Sequence, residues 1–163
     1  GILASISIYV INSAMMKSRD TRRKADLTAI SLAFQARYEA KICSNSADLG
    51  FYPGRNTAAV GSWRDVGELK NLSNDCGSFS ENFTVVPTPP PYRDGSTYNY
   101  IFNLSNNTGQ IVEPKGKHYR LGTSLEIALN ASQNTELERQ QFIWQNSFGG
   151  KALLNGYNYL IGN

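Results

Sequence analysis

The chain has 163 residues, 40% of them hydrophobic and 18% charged, with 16 basic against 13 acidic side chains and a net charge of +3. That balance is too even for nucleic-acid binding by bulk electrostatics, and the 9 Tyr and 7 Phe need a dry interior, which excludes intrinsic disorder. A single histidine gives little support to conventional hydrolase chemistry, and the length suits one domain with a sizeable core.

Residues 2–49 contain neither glycine nor proline. From Ile2 to Met16 there is no charge, and eleven of the fifteen residues are Ala, Ile, Leu, Val, Tyr or Met. Lys17, Arg19, Asp20, Arg22, Arg23, Lys24 and Asp26 follow. Leu27, Ile30, Phe34, Tyr38 and Ile42 then recur at offsets of three and four, which places them along one helical face. Ala25, Ala29, Ala33, Ala36 and Ala40 add helix propensity. The pattern predicts one continuous helix over residues 1 to about 42, roughly 60 Å long. Its second half, 17–42, is amphipathic and expected to pack on a sheet. In its first half, 1–16, Ile2, Leu3, Ile6, Ile8, Tyr9, Val10, Ile11 and Met15 point all round, so every face calls for burial or lipid. Its uncharged length falls just short of a bilayer span, so a buried core helix competes with a membrane helix whose first turns precede Gly1. Ser5, Ser7, Asn12 and Ser13 are expected to weaken the helix by competing for backbone hydrogen bonds.

From Gly50 to Asn163 short apolar runs alternate with turn residues. The expected order is a helix-exit loop at Phe51–Gly54, a short helical turn within Val66–Leu72, and a strand at Phe83–Val86. A stiff, donor-free connector follows through Pro87 and Pro89–Pro91. Tyr98, Tyr100, Phe102 and Leu104 alternate with Asn99 and Asn103, which predicts a strand over Tyr98–Leu104. A turn at Asn106–Gly109, a return at Gln110–Glu113 and a strand at Lys117–Leu121 come next. Ser124–Leu129 extends that strand or forms a fourth. A helix over Thr135–Gln145 and a final strand carrying Tyr157, Tyr159 and Ile161 complete the reading. The fold class is therefore α+β, a long N-terminal helix (1–49) packed on an antiparallel β-meander (within 50–163).

The run GILASISIYVINSAMMKSRDTRRKADLTAISLAFQARYEAK resembles the N-terminal helix of type IV pilins and of the pseudopilins of type II secretion. Arg19–Leu27 (R-D-x-x-R-K-A-D-L), the pair Tyr52-Pro53 and the run Tyr119–Glu126 carry the resemblance further. It implies the pilin fold, a methylated N-terminal segment of about a dozen apolar residues before Gly1, and anchoring in the cytoplasmic membrane. It also implies extraction by an inner-membrane assembly platform after cleavage by a prepilin peptidase. The expected function is a structural subunit that polymerises with other pilins through 1–16 into an extracellular filament for adhesion, twitching motility or DNA uptake. The alternatives are a periplasmic pseudopilin of a secretion machine and a membrane-anchored binding or adhesin domain that does not polymerise.

Pairing of Cys43 with Cys76 would close a loop of about 34 residues and stabilise by roughly 3.5–4 kcal/mol; the alternative is two free thiols. Lys17, Arg19, Arg22, Arg23 and Lys24 could meet lipid headgroups, acids of neighbouring subunits, Asp20 and Asp26 locally, or DNA phosphates. The five sequons at Asn71, Asn82, Asn103, Asn106 and Asn130 read mostly as chance in an Asn-, Ser- and Thr-rich chain. His118 is isolated, and Asp65, Glu68, Asp75, Glu81 and Asp94 are scattered, so no catalytic, metal or cofactor site is expected and the chain is read as a non-enzyme.

Overall fold

The computed structural model describes residues 2–40, 63–71, 73–74, 77–78, 85–105, 118–127, 129, 132 and 157–162. Helix α1 runs unbroken from Ile2 to Ala40. The serines and the asparagine of its first turns do not interrupt it, because a helix can satisfy those side chains outward or on carbonyls one turn back, as Thr21 Oγ1 does on Lys17 O at 2.8 Å.

Six strands follow: β1 (Arg64–Asp65), β2 (Ser73–Asn74), β3 (Gly77–Ser78), β4 (Ile101–Ser105), β5 (His118–Thr123) and β6 (Tyr159–Gly162), with a 3-10 helix at Val66–Asn71. The main sheet has the order β1-β4-β5-β6 and every pairing in it is antiparallel. Phe102 lies opposite Leu121, and Leu121 opposite Ile161, so the apolar residues of three strands stand in one row. The short pair β2–β3 stands apart as a second sheet. The architecture is thus α+β, one N-terminal helix against a four-stranded antiparallel sheet.

Leu27, Ile30 and Phe34 of α1 are fully buried against Val66, Leu69, Val86, Tyr100, Phe102, Tyr119 and Leu121. Phe34 is the hub. Its ring meets Phe102 edge-on at 6.1 Å and Tyr119 at 5.2 Å, distances at which tilted aromatic pairs attract beyond simple burial. Polar rims are tied off locally: Ser31 Oγ and Tyr119 Oη share a hydrogen bond of 2.6 Å, and Tyr100 Oη donates to Asp26 at 2.6 Å. Gly122 lets two strands close over it, since a Cβ there would lie 3.0 Å from Ile101 Cγ1 and 3.1 Å from Leu160 Cδ2.

Three strand expectations are corrected. Val85 and Val86 form no strand, and Val86 instead drops its side chain into the core ahead of the proline run. Pairing of β4 begins at Ile101, not Tyr98, because Tyr98 and Tyr92 pack edge-on at 5.3 Å outside the ladder. Ser124–Ile127 leaves the sheet after Thr123, for a reason that lies on α1 and is set out below. Asn103, expected outward by alternation, is fully buried. The turn at 106–109, the return at 110–113, the helix at 135–145, and both Cys43 and Cys76 lie outside the described residues.

No helix among the described residues is long and apolar enough to cross a membrane. The uncharged run Ile2–Met16 rises only about 22 Å, against a hydrocarbon core of about 30 Å. Four of its fifteen residues are Ser or Asn, and six of the next eight are charged. This overturns the reading of 1–16 as a membrane-spanning segment, on which the expected anchoring in the cytoplasmic membrane and the passage from there to an extracellular or periplasmic filament rested.

Candidate functional site

Along α1 the side chains divide by direction. The inward row ends, toward the N-terminus, in a charged group instead of an apolar one. Arg23 is fully buried. Its Nη1 donates to Asp20 at 2.7 Å and to Glu126 at 2.9 Å, and its Nη2 to the carbonyl of Pro90 at 2.9 Å. The guanidinium lies 4.1 Å over the ring of Tyr92. Arg19 grips the same Glu126 with two bonds, Nε at 2.6 Å and Nη2 at 2.7 Å, the forked geometry that suits a carboxylate. Asp20 turns its oxygens to the backbone amides of Glu126 (3.0 Å) and Ile127 (2.9 Å). Two cations and two anions therefore neutralise one another, and Asp20 holds the chain after β5 off the sheet and onto the helix.

Each partner is placed by a local feature of the sequence. The proline run offers carbonyls and no N–H groups, so its Pro90 oxygen needs an external donor and finds Arg23. The turn after it is closed by Gly95 N to Tyr92 O at 3.0 Å with Gly95 at φ +82°, a conformation glycine adopts freely. Tyr92 Oη, brought back by that turn, donates to Ser124 O. On the other side Asn158 brackets Leu125, accepting from its N–H at 2.7 Å and donating to its carbonyl at 3.0 Å.

Titration follows from these contacts. The arginines beside Glu126, Arg19 above all, hold its carboxyl below the usual carboxylate range despite the opposing cost of burial. Burial pushes the phenols of Tyr92 and Tyr100 up, and for Tyr100 the hydrogen bond to Asp26 and that group's charge add to it. A depressed carboxylate contributes stability above its unfolded pKa of about 4.3 and loses it as pH falls through the folded value. Raised phenols contribute below about pH 10 and lose it as pH climbs toward their folded values. Urea midpoints are therefore expected to fall below about pH 4 and above about pH 10, with Glu126→Gln flattening the acid limb. A midpoint constant from pH 6 to pH 3 would show that the Glu126 pairing contributes nothing.

The outward side of α1 is of another kind. Ile8, Ile11, Met15, Ser18, Arg22, Ala25, Ala29, Leu32 and Ala36 are all exposed, and they succeed one another by three and four residues in strict alternation. Ile8 and Leu32 are 60% exposed, Met15 53% and Ile11 52%. Only Arg22 is charged, and it lies 4.0 Å from Asp26. A helix side facing only water ordinarily carries charge. A 3–4 alternation kept over four heptads is the spacing by which one helix meets another. Tyr9 and Val10 are exposed as well, at 77% and 58%.

The residues named from sequence thus fall into separate places. Leu27, Ile30 and Phe34 are in the core, whereas Tyr38 is exposed and Arg37 is buried beside it in sequence. Ile8, Ile11 and Met15 lie on the outward stripe; Tyr9 and Val10 flank it. Of Ile2, Leu3 and Ile6 only the helical backbone is described. Arg19 and Arg23 belong to the buried network, Arg22 to the stripe, Lys17 is exposed, and the Lys24 ammonium sits 5.1 Å over the Tyr159 ring. Glu126 and Tyr92, central to the network, were not singled out as ligands of the arginines; no local pattern marks them, since Glu126 lies 103 and 107 residues from its two arginines. The sequence assigns the stripe's residues to different roles, Ile8, Ile11 and Met15 to lipid or a filament core and Ala25, Ala29 and Ala36 to helix propensity, so their common 3–4 spacing carries no expectation of its own.

Two clefts flank α1 where it leaves the sheet. One of about 430 Å³ is lined by Met16, Tyr92, Arg93, Asp94 and Glu126, the other of about 280 Å³ by Lys17, Asp20, Thr21, Lys24, Leu125, Ile127 and Leu129. No group of three or more His, Cys, Asp or Glu able to hold a metal occurs among the described residues.

No protein-family model, no curated protein and no solved structure matches the chain. Together with the finding that no helix among the described residues is long and apolar enough to cross a membrane, this overturns the resemblance to type IV pilins and pseudopilins, on which the expected pilus-subunit, secretion and membrane-anchored roles rested.

Proposed function

We propose that the protein is a non-catalytic assembly module whose outward α1 face associates with other copies of the same chain in water. The observation that carries this reading is the exposure of Ile8, Ile11, Met15 and Leu32 on a helix whose buried row, Leu27, Ile30 and Phe34, is already satisfied by the sheet. Exposed large apolar side chains recurring by three and four residues along one helix make a docking surface, whereas scattered ones would need no explanation. The internal neutralisation of Arg19 and Arg23 further supports it, since these cations are engaged within the fold.

Sedimentation velocity on the whole chain tests the reading. The protein is expected to pass from monomer to a larger species as its concentration rises. The double substitution Ile11→Asp with Met15→Asp should hold it monomeric without lowering its unfolding midpoint, because neither residue touches the core. A wild-type chain that stays monomeric up to the millimolar range would remove the basis of the proposal.

A further inference from the structure

Resting on that reading, the geometry points to one arrangement: two copies pair their α1 helices antiparallel about a two-fold axis, so that each projecting N-terminal end is covered by the sheet-borne half of the other helix. The evidence is the distribution of size and charge along the stripe. Large residues occupy its N-terminal part (Ile8, Ile11, Met15) and small ones its C-terminal part (Ala25, Ala29), with Leu32 near the end.

In an antiparallel pair of heptad-spaced helices the two kinds of seam position face each other across the interface. The register that uses the stripe from Ile8 to Leu32 sets Ile8 against Leu32 of the second copy, Ile11 against Ala29, Met15 against Ala25, and Ser18 against Arg22. The two-fold axis then repeats the four contacts. Large meets small in the two inner apolar layers, which lets the helix axes run close and even. At the centre the Ser18 hydroxyl can accept from the Arg22 guanidinium, whose Asp26 neighbour remains 4.0 Å away in its own chain. A parallel pair in register fails on both counts. It stacks Ile on Ile and Met on Met at one end and Ala on Ala at the other, so the helices splay. It also sets Arg22 against Arg22, a like-charge contact.

The area is adequate. A fully buried aliphatic side chain removes roughly 60–120 Å² from water, so the four large residues of each copy account for roughly 500–1,000 Å². The alanines, Ser18, Arg22 and the flanking positions bring the total toward the ~1,200 Å² at which specific interfaces begin. Because the same patch is used on both copies, the contact is closed, and it yields a dimer and no chain of subunits.

Site-specific photocrosslinking tests the arrangement on the whole protein. A benzophenone amino acid replaces Ile11, and unlabelled and nitrogen-15-labelled protein are mixed in equal parts so that crosslinks between copies carry both isotopes. Mixed-isotope crosslinks are expected at residues 25–33 of the other copy. The substitution Ala29→Glu, at an exposed position, is expected to raise the dimer dissociation constant at least about tenfold with the unfolding midpoint unchanged. Mixed-isotope crosslinks confined to residues 8–15 would overturn the antiparallel pairing while leaving association standing, as would an Ala29→Glu chain that dimerises like wild type. A wild-type chain that sediments as a monomer overturns association itself, and the arrangement with it.

Discussion

Replacing Arg23 by alanine is expected to lower the unfolding free energy by about 3–5 kcal/mol, measured by urea denaturation at pH 7. The size follows from what the cation leaves behind. Asp20 and Glu126 approach the same Nη1, at 2.7 and 2.9 Å, so its removal leaves two neighbouring buried carboxylates with Arg19, on Glu126, as the one cation of the network. The carbonyl of Pro90 loses its donor and the face of Tyr92 loses its cation. A distinctive pH signature should accompany the loss. In the wild type, acid weakens the network by protonating Glu126, whose charge Arg19 and Arg23 favour. In the variant Arg19 still holds Glu126, so the loss of stability on acidification should keep its sign and become shallower than in the wild type. A loss below about 1 kcal/mol, with the wild-type pH profile retained, would mean that the network behaves like an ordinary surface ion pair.

Phe34→Ala is the second large effect, also about 3–5 kcal/mol, but with a different signature. Phe34 is fully buried and touches both Phe102 and Tyr119, so truncation leaves a cavity between helix and sheet where the surrounding rings cannot collapse easily. The loss should be nearly independent of pH between 5 and 8, since no charge is stranded. Phe34→Leu, which retains most of the volume, should recover more than half of it. An alanine variant as stable as wild type would show that α1 is held to the sheet by its polar contacts alone. Neither substitution alters the outward stripe, so both variants should keep the self-association of the folded fraction.

How far the sequence disclosed this molecule depends on the range of the forces involved. Helix α1 was visible because helical periodicity is a local property, and its bounds, Ile2–Ala40, lie close to those expected from the absence of Gly and Pro. Leu27, Ile30 and Phe34 announced a core face for the same reason. The strands β5 and β6 and the 3-10 helix after β1 were legible from alternation and turn residues. Ser124–Ile127 was not, because its conformation is dictated by Asp20, more than a hundred residues earlier. Asn103 illustrates another limit. Alternation along β4 assigns it to water, but tertiary packing buries both faces of that strand, with Ile101 and Asn103 as hidden as Phe102. The largest error came from reading apolarity as a destination. An uncharged run of fifteen residues suggests lipid and a filament family, but no helix among the described residues is long and apolar enough to cross a membrane.

The separations within the ionic network have a kinetic meaning. Arg23 reaches partners 3, 67 and 103 residues away, so its charge is satisfied only after two long loops have closed. Forming a helix takes about a microsecond or less, whereas contacts so distant in the chain are slow to assemble. For that interval α1 exists as a helix with two apolar sides, one meant for its own sheet and one turned outward. Whichever is covered first decides the outcome. Premature association of chains still undocked would compete with folding, and its rate rises with concentration while docking within one chain does not. Refolding yield should therefore be governed by dilution, and the buried arginine marks the side of the helix that only its own chain can complete.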